Sequence, residues 1–158
     1  MSKFGSLAPS DKPFRVFLKL DGKSIADKSK KLAYIDTYSE DGVVGRRFDK
    51  EWRDHCLAIA KEGGVQPTQL ETNTAKSAAL TAGWYLVDPE TSEPILDPET
   101  SEPIPCTLEN ANELYSLPLA TWIWLQPWAA ANNHVNFIKR SAKSSTATQS
   151  GTSETAAG

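Results

Sequence analysis

Two short segments near the start of the chain alternate apolar and polar residues, with the period expected of half-buried strands. The first, residues 14–20, reads FRVFLKL and alternates Phe14, Val16, Leu18 and Leu20 with Arg15, Phe17 and Lys19. Asp21 and Gly22 follow, and they favour a tight turn because glycine accepts positive φ at little cost. Residues 23–31 are polar and are predicted to be loop, and residues 32–38 (LAYIDTY) are a second strand candidate. The pattern predicts an N-terminal hairpin or small sheet.

From residue 43 onward the apolar spacing is typical of helices. In residues 43–61 it places one set of residues on a common face: Phe48, Trp52, Cys56, Ile59 and Ala60. Gly63 and Gly64 predict the end of this helix, and Thr68 with Glu71 forms a capping box for a second helix over 69–82. Residues 84–87 (WYLV) predict a strand or extended segment. Thr107 can cap a third helix over 108–116.

The segment 119–140 is helical by pattern but contains Pro127, which removes a helical hydrogen bond and clashes one turn back. We therefore expect a bend near Gln126, or two helices with Pro127 in the first turn of the second. Trp128, Ala131, Val135 and Ile138 would form a stripe on the second piece. The predicted fold is α+β: a flexible leader (1–12), then one domain (13–140) with a small N-terminal β element and a mainly helical body, and a flexible low-complexity tail (141–158).

An octapeptide, DPETSEPI, occurs twice, at 88–95 and at 97–104. Each copy carries three acids and two prolines, which predicts an extended, solvated loop because proline cannot donate to a ladder. The unit is too short and polar to suggest a solenoid. We expect a dispensable duplicated insertion, whose removal (97–105) changes the free energy of unfolding by less than ~0.5 kcal/mol.

Charge is unevenly distributed along the 158 residues. Residues 1–61 hold 13 Lys and Arg against 9 Asp and Glu (+4), residues 62–138 hold 1 against 10 (−9), and residues 139–158 hold 3 against 1 (+2). This asymmetry suits self-association or a charged partner, and two solvated faces are the alternative. Aromatic residues concentrate in the acidic part, which disfavours nucleic-acid binding. The absence of a long apolar run predicts no membrane span, and the polar N-terminus predicts a cytoplasmic protein.

Candidate chemical groups are few. Metal ligation by His55, Cys56, Cys106 and His134 is not expected, because their spacing lacks the close pairs of metal sites. Cys56 and Cys106 are predicted to be reduced packing residues, a disulfide being the alternative. Either thiol with His134 could form a nucleophile pair only if the fold brought them together. We predict no catalytic residues, no metal and no cofactor.

Three tryptophans, Trp122, Trp124 and Trp128, lie within seven residues. Trp122 and Trp124 face opposite ways on a helix, so the helix either lies deep in the core or meets a partner. The partner hypothesis makes Trp124 and Trp128 the anchors of a contact surface, with Val135 and Ile138 beside them.

The order of several motifs resembles the tail assembly chaperones of tailed bacteriophages, of the siphophage type. They are FRVFLKL, YIDTYSEDGVVGRRFDKEWR, Glu71 before an Ala-rich helix ending at Trp84, then Thr107, Glu109–Ala111, Leu114–Tyr115, Pro118, Trp122–Ile123, Gln126 and Asn136–Ile138. The resemblance covers about residues 13–140, and the duplicated DPETSEPI departs from it, where one short turn is expected.

The resemblance implies a non-enzymatic protein in the host cell cytoplasm that binds the tape measure protein. It would keep that long helical chain soluble until the tail tube protein polymerises around it, with many copies associating along it. Two alternatives remain open: a structural minor tail component retained in the virion, and a small thiol-dependent enzyme.

Overall fold

The computed structural model describes residues 3–138, and its architecture is α+β as predicted. The strands are β1 (Phe14–Phe17), β2 (Lys19–Leu20), β3 (Lys23–Ser24), β4 (Tyr34–Thr37) and β5 (Thr81–Tyr85). The helices are α1 (Val43–Lys61), α2 (Gln69–Leu80), α3 (Leu108–Tyr115) and α4 (Thr121–Ala131), with short 3-10 turns at Gly5–Leu7 and His134–Phe137. An antiparallel sheet in the order β1-β4-β5 and a two-stranded β2-β3 hairpin complete the fold.

The N-terminal strand prediction is confirmed, with one refinement. Leu18 is buried and separates β1 from β2, although its N–H still bonds the Ala33 carbonyl at 3.0 Å. Asp21 and Gly22 both have positive φ, 53° and 77°, as a two-residue hairpin turn requires. Residues 23–31 were predicted to be loop, but Lys23 and Ser24 return as β3. The turn geometry fixes this pairing despite the polar side chains.

Helix α1 has the predicted bounds and ends in a glycine cap. Gly63 (φ 71°) donates to Ala60, and Gly64 donates to Ile59 at 3.0 Å, which is the Schellman pattern. The predicted apolar face is only half-buried, and Ala60 is exposed. Phe48 and Trp52 stack at 5.2 Å between ring centroids, and the Trp52 indole donates to Thr72 of α2. The helix therefore lies along α2 at the side of the domain.

Helix α2 begins with the predicted capping box, in which Thr68 and Glu71 exchange hydrogen bonds of 2.8 and 3.1 Å. It ends at Leu80, two residues earlier than predicted, because β5 starts at once. Pairing with β4 outweighs the helix propensity of Ala82 there. Of the predicted WYLV segment, only Trp84 and Tyr85 lie in β5, which begins at Thr81, and Leu86 and Val87 follow the strand.

Helix α4 contradicts the two-helix alternative and the predicted helical extent to residue 140. It runs without a break through Pro127, which is fully buried, and it ends at Ala131. Because α4 packs against β1, β4, α2 and α3, tertiary contacts outweigh the one hydrogen bond that Pro127 removes. Asn133 then caps the final 3-10 turn. Val135 and Ile138 consequently do not share a helical stripe with Trp128.

The predicted loose leader contacts the end of the described chain. Ser10 donates its N–H to the Phe137 carbonyl at 2.7 Å, and Pro9 bridges Ile138. Phe137 is buried and meets Phe14 edge-on at 6.1 Å between ring centroids. Residues 9–10 therefore belong to the domain. The predicted tail, 141–158, lies outside the described residues.

Candidate functional site: an apolar groove beside the repeat

The two repeat copies fold into two identical tight hairpins. In each copy the aspartate carboxylate, Asp88 or Asp97, accepts the N–H two residues on at 2.8 Å. The serine four residues on, Ser92 or Ser101, takes positive φ (59° and 60°) and donates back to the aspartate carbonyl. The prediction of an extended conformation is therefore wrong, because aspartate and serine satisfy the backbone locally, whereas the prediction that the segment is solvated is confirmed.

The hairpins are joined to each other by backbone hydrogen bonds at nine-residue spacing. Ile95 donates its N–H to the Leu86 carbonyl, and Ile104 donates to the Ile95 carbonyl, both at 2.9 Å. The Trp84 indole N–H then bonds the Ile104 carbonyl at 2.8 Å. Leu86, Ile95 and Ile104 thus form a row across three adjacent segments, and we call these three residues the repeat row.

The repeat row is one wall of an open groove of about 370 Å³. The remaining surface comes from α3 and the turn after it, from α4, from Leu18 immediately before β2, and from residues 84–89. The other lining residues are Leu18, Trp84, Val87, Pro89, Asn110, Glu113, Leu114, Leu117, Trp122 and Ile123. All but Asn110 and Glu113 are apolar. A concave apolar surface with few polar groups is the usual form of a binding site.

The segment that supplies most of this groove is acidic. Residues 84–123, which supply all of its lining except Leu18, carry eight Asp and Glu and no Lys or Arg. Glu93 pairs with Lys28 at 3.1 Å, and both side chains are largely exposed. Glu113 lies in the lining itself. The groove therefore favours an apolar partner that carries positive charge beside its apolar residues.

The four predicted partner-binding residues differ in exposure. Trp124 is 4% exposed and belongs to the core, so the core interpretation holds and its assignment as an anchor is corrected. Trp128 is half-buried against the core and meets Trp124 edge-on at 6.3 Å between ring centroids. Val135 and Ile138 are about half exposed, but they lie beyond the end of α4. Of the three clustered tryptophans, Trp122 is the one that lines the groove.

The thiols and histidines occupy separate settings. Both cysteines are free and half-buried, which excludes the disulfide alternative in this structure. Burial, with a smaller contribution from Asp36, raises the pKa of Cys106 to about 11. His134 Nδ1 lies 3.3 Å from Asp41 Oδ2, and His55 packs beside Trp52. The raised pKa keeps the Cys106 thiol protonated at neutral pH, and a protonated thiol is a poor nucleophile. Residues 3–138 contain no cluster of three or more His, Cys, Asp or Glu that could hold a metal ion.

Sequence reasoning missed the groove, although one signal for it was present. The repeat period is nine residues, and each unit ends in one isoleucine within otherwise polar residues. A regular apolar position in a polar repeat indicates a buried or ligand-facing row. The polar composition of the repeat concealed this apolar row, because most residues of each copy are exposed.

Comparison with known proteins adds no assignment: no family model, curated protein or solved structure matches this chain. Within residues 3–138, none of the helices has the length and apolar character needed to cross a bilayer.

Proposed function

We propose that this chain is a tail assembly chaperone that binds the tape measure protein in the host cell cytoplasm and keeps it soluble while the tail tube forms. The observation that carries the proposal is the open apolar groove with its acidic surroundings. The motif order described above supplies the family. A groove of this kind suits one apolar face of a helix, and such faces aggregate when they are left uncovered.

Exposed apolar side chains elsewhere are compatible with additional contacts along a long partner. Leu57, Val65 and Leu70, at the far ends of α1 and α2, are 55%, 93% and 61% exposed. Several weak contacts per copy, repeated over many copies, give high avidity and still allow displacement by tail tube subunits. Self-association along the tape measure protein is part of this proposal.

Co-expression with the tape measure protein of the same phage tests the proposal. The tape measure protein should be soluble with the unmodified chain and should aggregate without it. Leu117→Asp, in the groove lining and 53% exposed, should lose this effect. Leu119→Asp is the matched control, because Leu119 is 89% exposed and outside the lining. Equal solubility with and without the chain would contradict the proposal.

A second measurement distinguishes the chaperone proposal from the alternative of a structural tail component retained in the virion. Mass spectrometry of purified virions should lack this chain if it is a chaperone. Its presence in stoichiometric amount would favour a structural tail component instead.

A further inference from the structure

The two hairpins have the same local design, and each places its isoleucine in the groove lining. The first copy contributes Ile95 together with Pro89, the second contributes Ile104, and Leu86 precedes both. The bonds that join neighbouring members of the repeat row have the same length, 2.9 Å. Neighbouring segments of a sheet are about 4.8 Å apart, so each copy lengthens the row by about that distance.

We propose that the number of repeat copies sets the length of this groove and thereby selects how many apolar side chains of a basic-flanked partner helix it binds. The identity of the partner rests on the proposed function, but the length rule does not. Three members of the row span two intervals, about 10 Å. Three leucines at positions i, i+4 and i+7 of a helix span about 10.5 Å, since a helix rises 1.5 Å per residue.

Charge indicates the kind of helix. Segment 84–123 contains eight acidic residues and no Lys or Arg. Of these eight, only Glu93 has an ion-pair partner among the described residues. An acidic partner would be repelled, and a neutral one would gain nothing from these carboxylates. Lysine or arginine beside the apolar stripe complements them.

Three chains test the rule. Deleting residues 88–96 leaves one copy and preserves the Ile104–Pro105 junction, whose Pro105 carbonyl accepts from Asn110 at 3.0 Å. Inserting a second DPETSEPIL after Leu96 gives three copies. The probes are helical peptides with two, three or four leucines at this spacing, with lysines at both ends, and binding is measured by fluorescence anisotropy.

The two-copy chain should bind the three-leucine peptide about fivefold more tightly than the two-leucine peptide, as one more partly buried leucine implies. The one-copy chain should lose that preference, and the three-copy chain should gain a similar one for four leucines. The same length preference in all three chains would overturn the inference. So would the absence of peptide binding by the two-copy chain.

Point variants keep the test decisive if a length variant fails to fold. Ile95→Ser removes the middle of the repeat row, whereas Leu96→Ser changes a neighbour that is similarly exposed and outside the lining. With both variants folded by circular dichroism, only Ile95→Ser should weaken three-leucine binding, by about fivefold or more. Equal weakening of peptide binding in both variants would contradict the inference that the repeat row contacts the peptide. Length-dependent peptide binding without tape measure solubilisation would refute the proposed function alone, and the reverse result would refute this inference alone.

Discussion

At the start of α1, Gly45 is buried against the backbone of the preceding loop. A Cβ at this position would overlap the carbonyl oxygen of Glu40 and lie 2.6 Å from its carbonyl carbon. Neither atom can move freely, because the Glu40 N–H bonds the Ala131 carbonyl at 3.1 Å and its carboxylate bonds Lys76 at 3.1 Å. Gly45 therefore lies where α1, α2 and the end of α4 meet.

We expect Gly45→Ala to lower the free energy of unfolding by about 3 kcal/mol, the upper range for steric overpacking. Urea denaturation measures it. Gly42→Ala, three residues earlier, meets its nearest atom at 3.5 Å, and should cost no more than about 1 kcal/mol. Similar losses in the two variants would mean that the close approach to Glu40 is not the cause.

Two groups with raised pKa values predict alkaline sensitivity. Tyr85 donates to Asp27 at 2.6 Å, and this bond, helped by burial, raises the Tyr85 pKa to about 12; burial raises that of Cys106 to about 11. The folded state holds these protons more tightly than the unfolded chain, so this stability is present below the ordinary pKa values of 9.0 and 10.0 and is lost as pH rises through 11 and 12. Unfolding free energy measured from pH 8 upward should fall. The fall between pH 9 and 11 should be shallower in Cys106→Ala, and an identical slope would contradict the prediction.

The aromatic residues of α4 illustrate how far single residues could be assigned from the sequence. The crowding of Trp122, Trp124 and Trp128 indicated a helix surrounded by contacts, and α4 does pack against both sheet and helices. Which contacts were internal depended on where α2 and α3 lie, and local spacing does not contain that information. From the sequence alone, a buried Trp124 could therefore not be distinguished from a Trp124 that binds a partner.

Burial now separates these residues. Trp124→Ala should cost about 3–5 kcal/mol of folding stability, the usual range for a core tryptophan. Val135→Ala and Ile138→Ala, both about half exposed, should each cost less than about 1 kcal/mol. Thermal melting compares them. A Trp124→Ala protein that melts like the unmodified chain would contradict the core assignment.

At the scale of elements, local chemistry fixed the boundaries that were predicted correctly. The Thr68–Glu71 box, the Thr107 cap and the Gly63–Gly64 stop each satisfy backbone groups within a few residues. The misplaced boundaries depend on distant partners. Helix α2 ends at Leu80 because the next residues pair with β4 as β5. Helix α4 continues through Pro127 because it packs against β1, β4, α2 and α3.

The capping box of α2 gives a direct test at this scale. Thr68→Ala removes the acceptor of the Glu71 N–H, so the free energy of unfolding should fall by about 1 kcal/mol. Gln69→Ala changes an exposed neighbour and should have an effect of less than about 0.5 kcal/mol. Denaturant unfolding of both variants provides the comparison. If Thr68→Ala is neutral, the box does not hold the start of the helix.

The repeat also belongs to the element scale, and it changes the expectation for its removal. Deleting residues 97–105 removes Ile104, which accepts the Trp84 indole hydrogen bond and packs against the core. We therefore expect the deletion to lower the free energy of unfolding by about 1 kcal/mol, the usual value of one such hydrogen bond, instead of changing it by less than ~0.5 kcal/mol. The hairpin itself was predictable in principle from the Asp and Ser positions, but its stacking was not, because that depends on the chain returning at the same spacing.

For the whole molecule, the charge division along the sequence separates the composition of helix α1 from that of the segment that lines the groove. Helix α1 carries five Lys and Arg, and the segment that builds the groove carries none. From this asymmetry the sequence suggested self-association or a charged partner, with two solvated faces as the alternative, and it located neither surface. The fold uses this acidic segment to build most of the groove lining, with Glu113 in the lining itself.

Binding at the groove should therefore weaken with salt. The affinity for the lysine-flanked three-leucine peptide should fall steadily as ionic strength rises from about 0.05 to 0.5 M, because screening shortens the reach of exposed charges to a few ångströms. Glu113→Gln, within the lining, should lower the low-salt affinity by about two- to fivefold and flatten the salt dependence. Glu62→Gln makes the same charge change at the end of α1, outside the groove-forming segment, and should leave both unchanged. Isothermal titration at four salt concentrations would measure these affinities. If the affinity of the unmodified chain and of both variants rises with salt, apolar contact alone determines what the groove binds.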